Sequence, residues 1–197
     1  MSKGLDSLDR KILFELDCNS RQSFSDLARK VKQGRDRVEY RVDRLLDLGY
    51  IRSFNAVVNI YKIGLTVYKT YFRLKNDHTR IKEFKTYLKN SAPVYRVASY
   101  DGGWDLNVAT VARSPREFAL AHGELVSKFQ DIVLEYQMYT LIDIWRFRKG
   151  YLIGKGAAGV LTGGDAERQQ LDKLEYDILK HLAADARIPV SELADKL

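Results

Sequence analysis

The amino-acid sequence predicts an α+β protein with an N-terminal winged helix-turn-helix followed by a ferredoxin-like βαββαβ domain. Three short stretches with helical periodicity come first, and after Ile51 the apolar residues change to a period of two, with helices between the strands. In addition, the segment Leu5 to Val31 returns 166 residues later as Leu171 to Leu197, with eleven of 27 positions identical. A register held without a gap indicates one structural unit used twice.

The repeated unit begins with an amphipathic helix. Its apolar stripe has the spacing i, i+3, i+7 and i+11 and consists of Leu5, Leu8, Ile12 and Leu16. Asp6 followed by Asp9 is a capping box, which satisfies free amides of the first helical turn, and Asp172 with Glu175 repeats it. A second short helix is predicted after Ser23, so both copies have the same beginning.

The third predicted helix, from about Arg35 to Leu48, ends at Gly49 and carries most of the charge. Its packing face consists of Val38, Val42 and Leu45. A separate line at i, i+4 and i+7 consists of Arg37, Arg41 and Arg44. The last helix of a helix-turn-helix can lie in a DNA major groove, with cations at its start against phosphates. The predicted DNA-binding residues are Lys32, Gln33, Arg35, Arg37, Tyr40, Arg41 and Arg44.

A second interpretation of this helix is a solvated surface, because Asp36, Glu39 and Asp43 are interleaved with the arginines and could pair with them. Net charge favours a polyanionic partner, since the chain carries +7 with a pI near 9.4. The sequence contains no apolar run long enough to cross a membrane and no signal-peptide pattern, which predicts a cytoplasmic protein without a membrane partner. Its single cysteine, Cys18, is expected to fill the core.

The segment after Ile51 predicts an antiparallel sheet. The expected strands cover about residues 68–75, 94–100, 104–112 and 132–147. One helix is expected around 81–88, before the Ala92-Pro93 break, and a second after Ser114-Pro115. Asp101-Gly102-Gly103 is a strong hairpin signal. Helices on one side cover only one sheet face, so we expect the other to form a homodimer or higher homo-oligomer.

The ordered series LDSLDRKIL, NSRQSFSDLARKV, RVEYRVDRLLDLGYI and GGWDL resembles the Lrp/AsnC, or feast/famine, family of prokaryotic transcription regulators over about residues 5–149. The resemblance implies a DNA-binding regulator whose sheet domain dimerises and binds an amino acid or another small effector. It places Gly103, Trp104 and Asp105 in the effector cleft. One departure is Lys32-Gln33-Gly34, where the family usually has Gly-Leu-Ser before the recognition helix.

An alternative within the same architecture is a siroheme decarboxylase-like protein of heme biosynthesis. Those enzymes carry a His-Asn-Tyr-x-Arg-x-His-x-Tyr-Asn run across the central hairpin, whereas residues 97–107 here contain no histidine or arginine. His78, His122 and His181 are isolated and are expected to be surface or helix-face residues rather than metal ligands. The sequence therefore favours a regulator over an enzyme, and predicts no catalytic residues, metal or cofactor.

Four segments follow from these patterns. Residues 1–53 form the winged helix-turn-helix, 54–149 the ligand-binding and dimerisation domain, 150–170 a glycine-rich linker, and 171–197 the incomplete start of a second helix-turn-helix. The run Gly154–Gly159 matches G-x-G-x-x-G, but Gly163-Gly164 would stop the helix that a dinucleotide site requires. Two helices lack the third that completes the unit, so we expect a longer sequence, and a terminal segment that docks elsewhere or frays with fast amide exchange.

Overall fold

The computed structural model describes residues 4–156, 159–163 and 166–197. The helices are α1 (Ser7–Cys18), α2 (Phe24–Val31), α3 (Arg35–Asp47), α4 (His78–Asn90), α5 (Pro115–Lys128), α6 (Lys173–Ala184) and α7 (Val190–Asp195). The strands are β1 (Thr66–Leu74), β2 (Val94–Ser99), β3 (Leu106–Ala112), β4 (Val133–Leu141), β5 (Asp143–Phe147) and β6 (Gly159–Gly163). The chain divides into one unit of Met1–Val58, Trp145–Leu161 and Gln170–Leu197, and a second of Asn59–Ile144 and Thr162–Gln169.

The predicted helix-turn-helix forms the core of the first unit. Its buried cluster joins the three N-terminal helices through Ile12, Leu16, Leu27, Ala28, Val31, Val38, Val42, Leu45 and Ile51. Both predicted capping boxes are present, at Asp6 with Asp9 and at Asp172 with Glu175. Helix α3 ends where it was expected to, because Gly49 adopts a φ of 72° that favours glycine.

The second unit confirms the βαββαβ order. Strands lie in the order β2-β3-β1-β4, and every neighbouring pair is antiparallel. Helices α4 and α5 cover one face around a core that includes Phe72, Phe84, Leu88, Leu106 and Val108. The connection between β2 and β3 occupies residues 100–105, so Trp104 precedes the strand in which it was predicted.

The single long strand predicted for residues 132–147 is wrong, because the structure has two strands there. Strand β4 pairs with β1, whereas β5 forms a two-stranded sheet with β6. A side chain at Gly163 would place its Cβ 2.2 Å from the Ile142 carbonyl oxygen, so this close approach requires glycine. The segment expected to be a flexible linker thus contributes a strand and a 3-10 turn at Gly150–Ile153.

Two expectations for the C-terminal half have different outcomes. Ala157 and Ala158, in the middle of the G-x-G-x-x-G match, lie outside the described residues, as do Gly164 and Asp165. Helices α6 and α7 dock within the first unit rather than fray, and Ala186 and Ile188 between them are only 2% and 5% exposed.

Within the part of the chain that the structure describes, none of the helices is long and apolar enough to span a membrane.

Candidate nucleic-acid interface

The first turn of helix α3 has backbone amides that no side chain caps. Its N-cap residue is Gly34, which offers no side-chain cap to the free amides of the first turn. The preceding Lys32 has a φ of 55°, a left-handed conformation that ends α2, and its side chain is exposed. Amides at a helix start carry partial positive charge, so this turn can bind an anion such as a phosphate.

The predicted DNA-binding residues separate into two groups. Lys32, Arg35, Arg37 and Tyr40 are exposed, and Gln33 is half-buried beside them. Arg35 approaches Glu39 at 3.6 Å, but both side chains remain largely exposed and the pair is weak. In the described part of the chain Arg37 has no ion-pair partner, and Tyr40 is 66% exposed. Solvent therefore reaches Lys32, Arg35, Arg37 and Tyr40 on one side of the turn and of α3.

Arg41 and Arg44 instead face helix α1, which corrects the expectation of one exposed arginine line. The Arg41 guanidinium donates to Asp6 Oδ2 at 2.6 Å and to Asp9 Oδ1 at 2.9 Å, and Arg44 lies 3.8 Å from Asp9 Oδ2. Asp9 is completely buried. A buried carboxylate requires compensating charge and hydrogen bonds, so these arginines are held on the protein.

The electrostatics of this cluster agree with its geometry. The hydrogen bond from the Asp9 amide, followed by the one from Arg41, holds the pKa of the Asp6 carboxyl below its ordinary value. Hydrogen bonds to Asp6 and Asp9 raise the pKa of Arg41. The ion pairs of Arg41 with Asp6 and Asp9 therefore fasten α3 to the first turn of α1. The sequence pattern alone did not identify Asp9 as the partner.

The predicted effector residues lie in the connection between β2 and β3. Asp105 closes this turn: its carbonyl accepts from the Tyr100 amide at 3.0 Å, and its Oδ2 accepts from the Leu74 amide at 2.7 Å. Trp104 is half-buried and its ring lies 6.2 Å from that of Tyr71. Gly103 is exposed in the same turn. The three residues are adjacent, and Asp105 already has a structural partner.

His122 lies on a face of helix α5, one of the two positions expected for it, and this face is almost fully buried. Its ring packs 5.4 Å from Phe118 and 4.9 Å from Tyr136, and its Nε2 has no hydrogen-bond partner among the described residues. It lines a cavity of about 320 Å³ between the sheet and α5. No group of three His, Cys, Asp or Glu residues suited to a metal ion occurs in the ranges that the structure describes.

Comparisons with known proteins agree with this fold. Residues 5–52 match the winged helix-turn-helix DNA-binding family model. An uncharacterised HTH-type transcriptional regulator of Pyrococcus horikoshii is 31% identical over 145 residues, which are 73% of this chain and 95% of that protein. The structure of B. subtilis LrpC has a TM-score of 0.59 at 24% identity, over 71% of this chain and 95% of that one.

A second similar structure is a transcriptional regulator of Neisseria meningitidis in complex with L-Met, with a TM-score of 0.63 at 18% identity, over 70% of this chain and 90% of that one. The winged helix-turn-helix, the basic start of α3 and the four-stranded domain define a DNA-binding transcription regulator. The chain belongs to the Lrp/AsnC family of HTH-type transcriptional regulators.

Proposed function

We propose that the chain recognises a specific double-stranded DNA site through the exposed residues Lys32, Gln33, Arg35, Arg37 and Tyr40. The observation that carries this proposal is the uncapped first turn of α3, surrounded by cations that lack buried partners. Phosphates would bind the amides and cations, and the side chains farther along the exposed face would reach base edges. Arg41 and Arg44 would set the position of α3 rather than contact DNA.

The salt dependence of binding tests this assignment. Three exposed cations on each of two recognition helices would give a slope of log affinity against log salt of about −5. Binding is measured by fluorescence anisotropy on a duplex obtained by selection from a random pool, and again on an unrelated duplex. A preference for the selected duplex would support sequence-specific recognition.

Single variants separate the predicted contacts from general charge effects. Arg37→Ala should weaken binding and reduce the magnitude of the salt slope by about 2, because one phosphate-facing cation is lost from each of the two recognition helices. Arg10→Ala removes another exposed arginine, from α1, and is the matched control. If the two variants bind DNA equally well, the proposed position of the interface is wrong.

We also propose an amino acid as the effector of the hairpin formed by Gly103, Trp104 and Asp105. The similar Neisseria protein in complex with L-Met supports this class of ligand. Asp105 Oδ2 is used by the Leu74 amide, and within the described residues its Oδ1 remains for an ammonium group. Trp104 would supply an apolar wall for the ligand's side chain.

Binding of each amino acid is measured through the melting temperature and through Trp104 fluorescence. Trp145→Phe removes the second tryptophan, so that the emission reports on Trp104 alone. Asp105→Asn should abolish the response while the fold survives, because asparagine can still accept the Leu74 amide. Asp101→Asn changes another exposed carboxylate of the same turn and serves as the control. A turn that is only structural would give no response to any amino acid.

We further propose that the uncovered face of the four-stranded sheet pairs chains into homodimers or larger assemblies that act on cytoplasmic DNA. Tyr100 and Tyr139 on this face are 44% and 50% exposed, and both their rings contact Tyr71. Tyr139→Asp should therefore give smaller particles than wild type in light scattering at the same concentration. Residues 171–197 would begin a second helix-turn-helix, since the capping box of α1 recurs in α6.

A further inference from the structure

Two arginines at equivalent positions of the sequence repeat bind each other's turn. Arg21 donates to the carbonyl oxygens of Ala186 and Ile188, at 2.7 and 3.2 Å. Arg187, which is 166 residues later in the same register, donates to the carbonyl oxygen of Ser20 at 3.3 Å. Ser20 and Ala186 are also equivalent in the repeat. Such an exchange of contacts is the pattern of a two-fold interface between identical surfaces.

The guanidinium of Arg187 is packed against two aromatic rings as well as hydrogen-bonded. Its guanidinium carbon lies 4.5 Å from the ring centroid of Phe24 and 4.9 Å from that of Phe54. A guanidinium between two aromatic rings gains cation–π attraction that increases as water is removed. Ala186 and Ile188, on either side of Arg187, are almost fully buried. Burial lowers the pKa of the Arg187 guanidinium.

Backbone hydrogen bonds extend the same contact. The Ala186 amide donates to the Phe54 carbonyl at 2.7 Å, and the Ala56 amide donates to the Leu182 carbonyl at 3.0 Å. The side-chain amide of Asn55 donates to two carbonyls near the end of α6, those of Ala183 and Ala184, at 2.9 and 3.1 Å. Asn55 and Ala56 therefore satisfy carbonyls at the end of α6 that helical geometry leaves without partners.

We infer that the turn between α1 and α2 is a self-complementary docking surface, which binds the equivalent turn of a second copy of the same helix-turn-helix. Residues 182–188 of the same chain are that equivalent turn and occupy the surface. The reciprocal arginines select the partner, because a segment without an arginine at this position cannot return the contact to Ser20. The docked segment covers this surface in each chain. Association between chains must therefore use another surface, and the proposed sheet interface is independent of this one.

Hydrogen exchange of two amides tests the contact in the full chain. In wild type the Ala56 and Ala186 amides should exchange at least about 100-fold more slowly than in the unfolded chain, since both donate to backbone carbonyls. Arg187→Ala and Arg21→Ala should each accelerate both amides about tenfold or more, with α1 to α3 amides unchanged. Arg168→Ala, an exposed arginine of the preceding segment, is the control and should change neither amide.

Arg187→Lys keeps the charge and most of the length but loses the planar fork, so intermediate exchange rates are expected from it. Three results would overturn the inference. The first is unprotected Ala56 and Ala186 amides in wild type, and the second is protection that neither arginine variant reduces. The third is protection that disappears on dilution, which would mean that the docked segment comes from a second chain.

Discussion

Replacing Arg41 should separate fold stability from DNA binding. Arg41→Ala removes both hydrogen bonds that its guanidinium donates to Asp6 and Asp9, and it leaves the Asp9 carboxylate buried. Breaking a buried ion pair from one side costs about 3–5 kcal/mol. The cost here should be lower, at about 2 kcal/mol, because Arg44 lies near the same carboxylate and the cluster is partly exposed.

The assay follows unfolding in urea through the NMR signal of the Ile12 methyl group, which lies at the centre of the helical cluster. This signal reports on the first unit alone. Arg41→Ala should lower the urea midpoint, whereas Arg37→Ala, an exposed change on the same helix, should alter stability by less than about 0.5 kcal/mol. Arg37→Ala should reduce the magnitude of the salt slope of DNA binding, whereas Arg41→Ala should leave it nearly unchanged. A stable Arg41→Ala protein with a reduced salt slope would refute the structural role of Arg41.

The pH dependence provides a second readout of the same cluster. The folded-state pKa of Asp6 is below its unfolded value, so its contribution to stability is complete above about pH 4 and decreases as pH falls through the lowered pKa. Arg41→Ala removes one of the hydrogen bonds that lower this pKa. Because the unfolded pKa is unchanged, the acid loss of stability should begin at the same pH in the variant, but it should be smaller than in wild type and should end at a higher pH.

Two further predictions concern other positions. Burial lowers the pKa of His122, so the unfolded chain binds the proton first, and stability should decrease as pH falls below about 6.5. Urea unfolding of His122→Phe should lack this decrease, whereas the exposed-site control His78→Phe should retain it. A decrease that persists in His122→Phe would contradict the assignment. Gly49→Ala should lower the free energy of unfolding by about 1 kcal/mol through its φ of 72° alone, since the added Cβ meets nothing within 4 Å. Gly4→Ala, at a position without positive φ, is the control. Equal urea midpoints for the two variants would contradict backbone strain at Gly49.

Local signals in the sequence predicted most helices correctly because their causes lie within a few residues of each other. The capping boxes, Ser23 before α2 and Gly49 after α3 each act through the adjacent helical turn. The alternating strands and the Asp101-Gly102-Gly103 turn similarly predicted the βαββαβ order of elements along the chain. The division of residues 132–147 into β4 and β5 could not be predicted in this way, because it depends on pairing with the distant strand β6.

The candidate site was predicted in part for a related reason. Helical spacing placed Arg37, Arg41 and Arg44 on one side of α3, but they spread over enough of the helix surface to have different neighbours. At 100° per residue, Arg41 lies about 40° from Leu45, at the edge of the packing face, and Arg37 lies farther away. Whether an arginine at that edge faces solvent or the protein depends on Asp9 of another helix, which periodicity within α3 does not report.

The repeat shows how a sequence pattern can be visible while its use depends on tertiary structure. Conserved spacing of Leu5, Leu8 and Ile12 in the second copy needs no explanation beyond a repeated helix, since these residues form an apolar stripe. Arg21 and Arg187 are different, because an exposed turn imposes no requirement for arginine. Each is explained by a carbonyl that the other copy provides. Identity at this polar position is thus the expected sign of two copies that contact each other, and an apolar stripe alone would not distinguish contact from mere duplication.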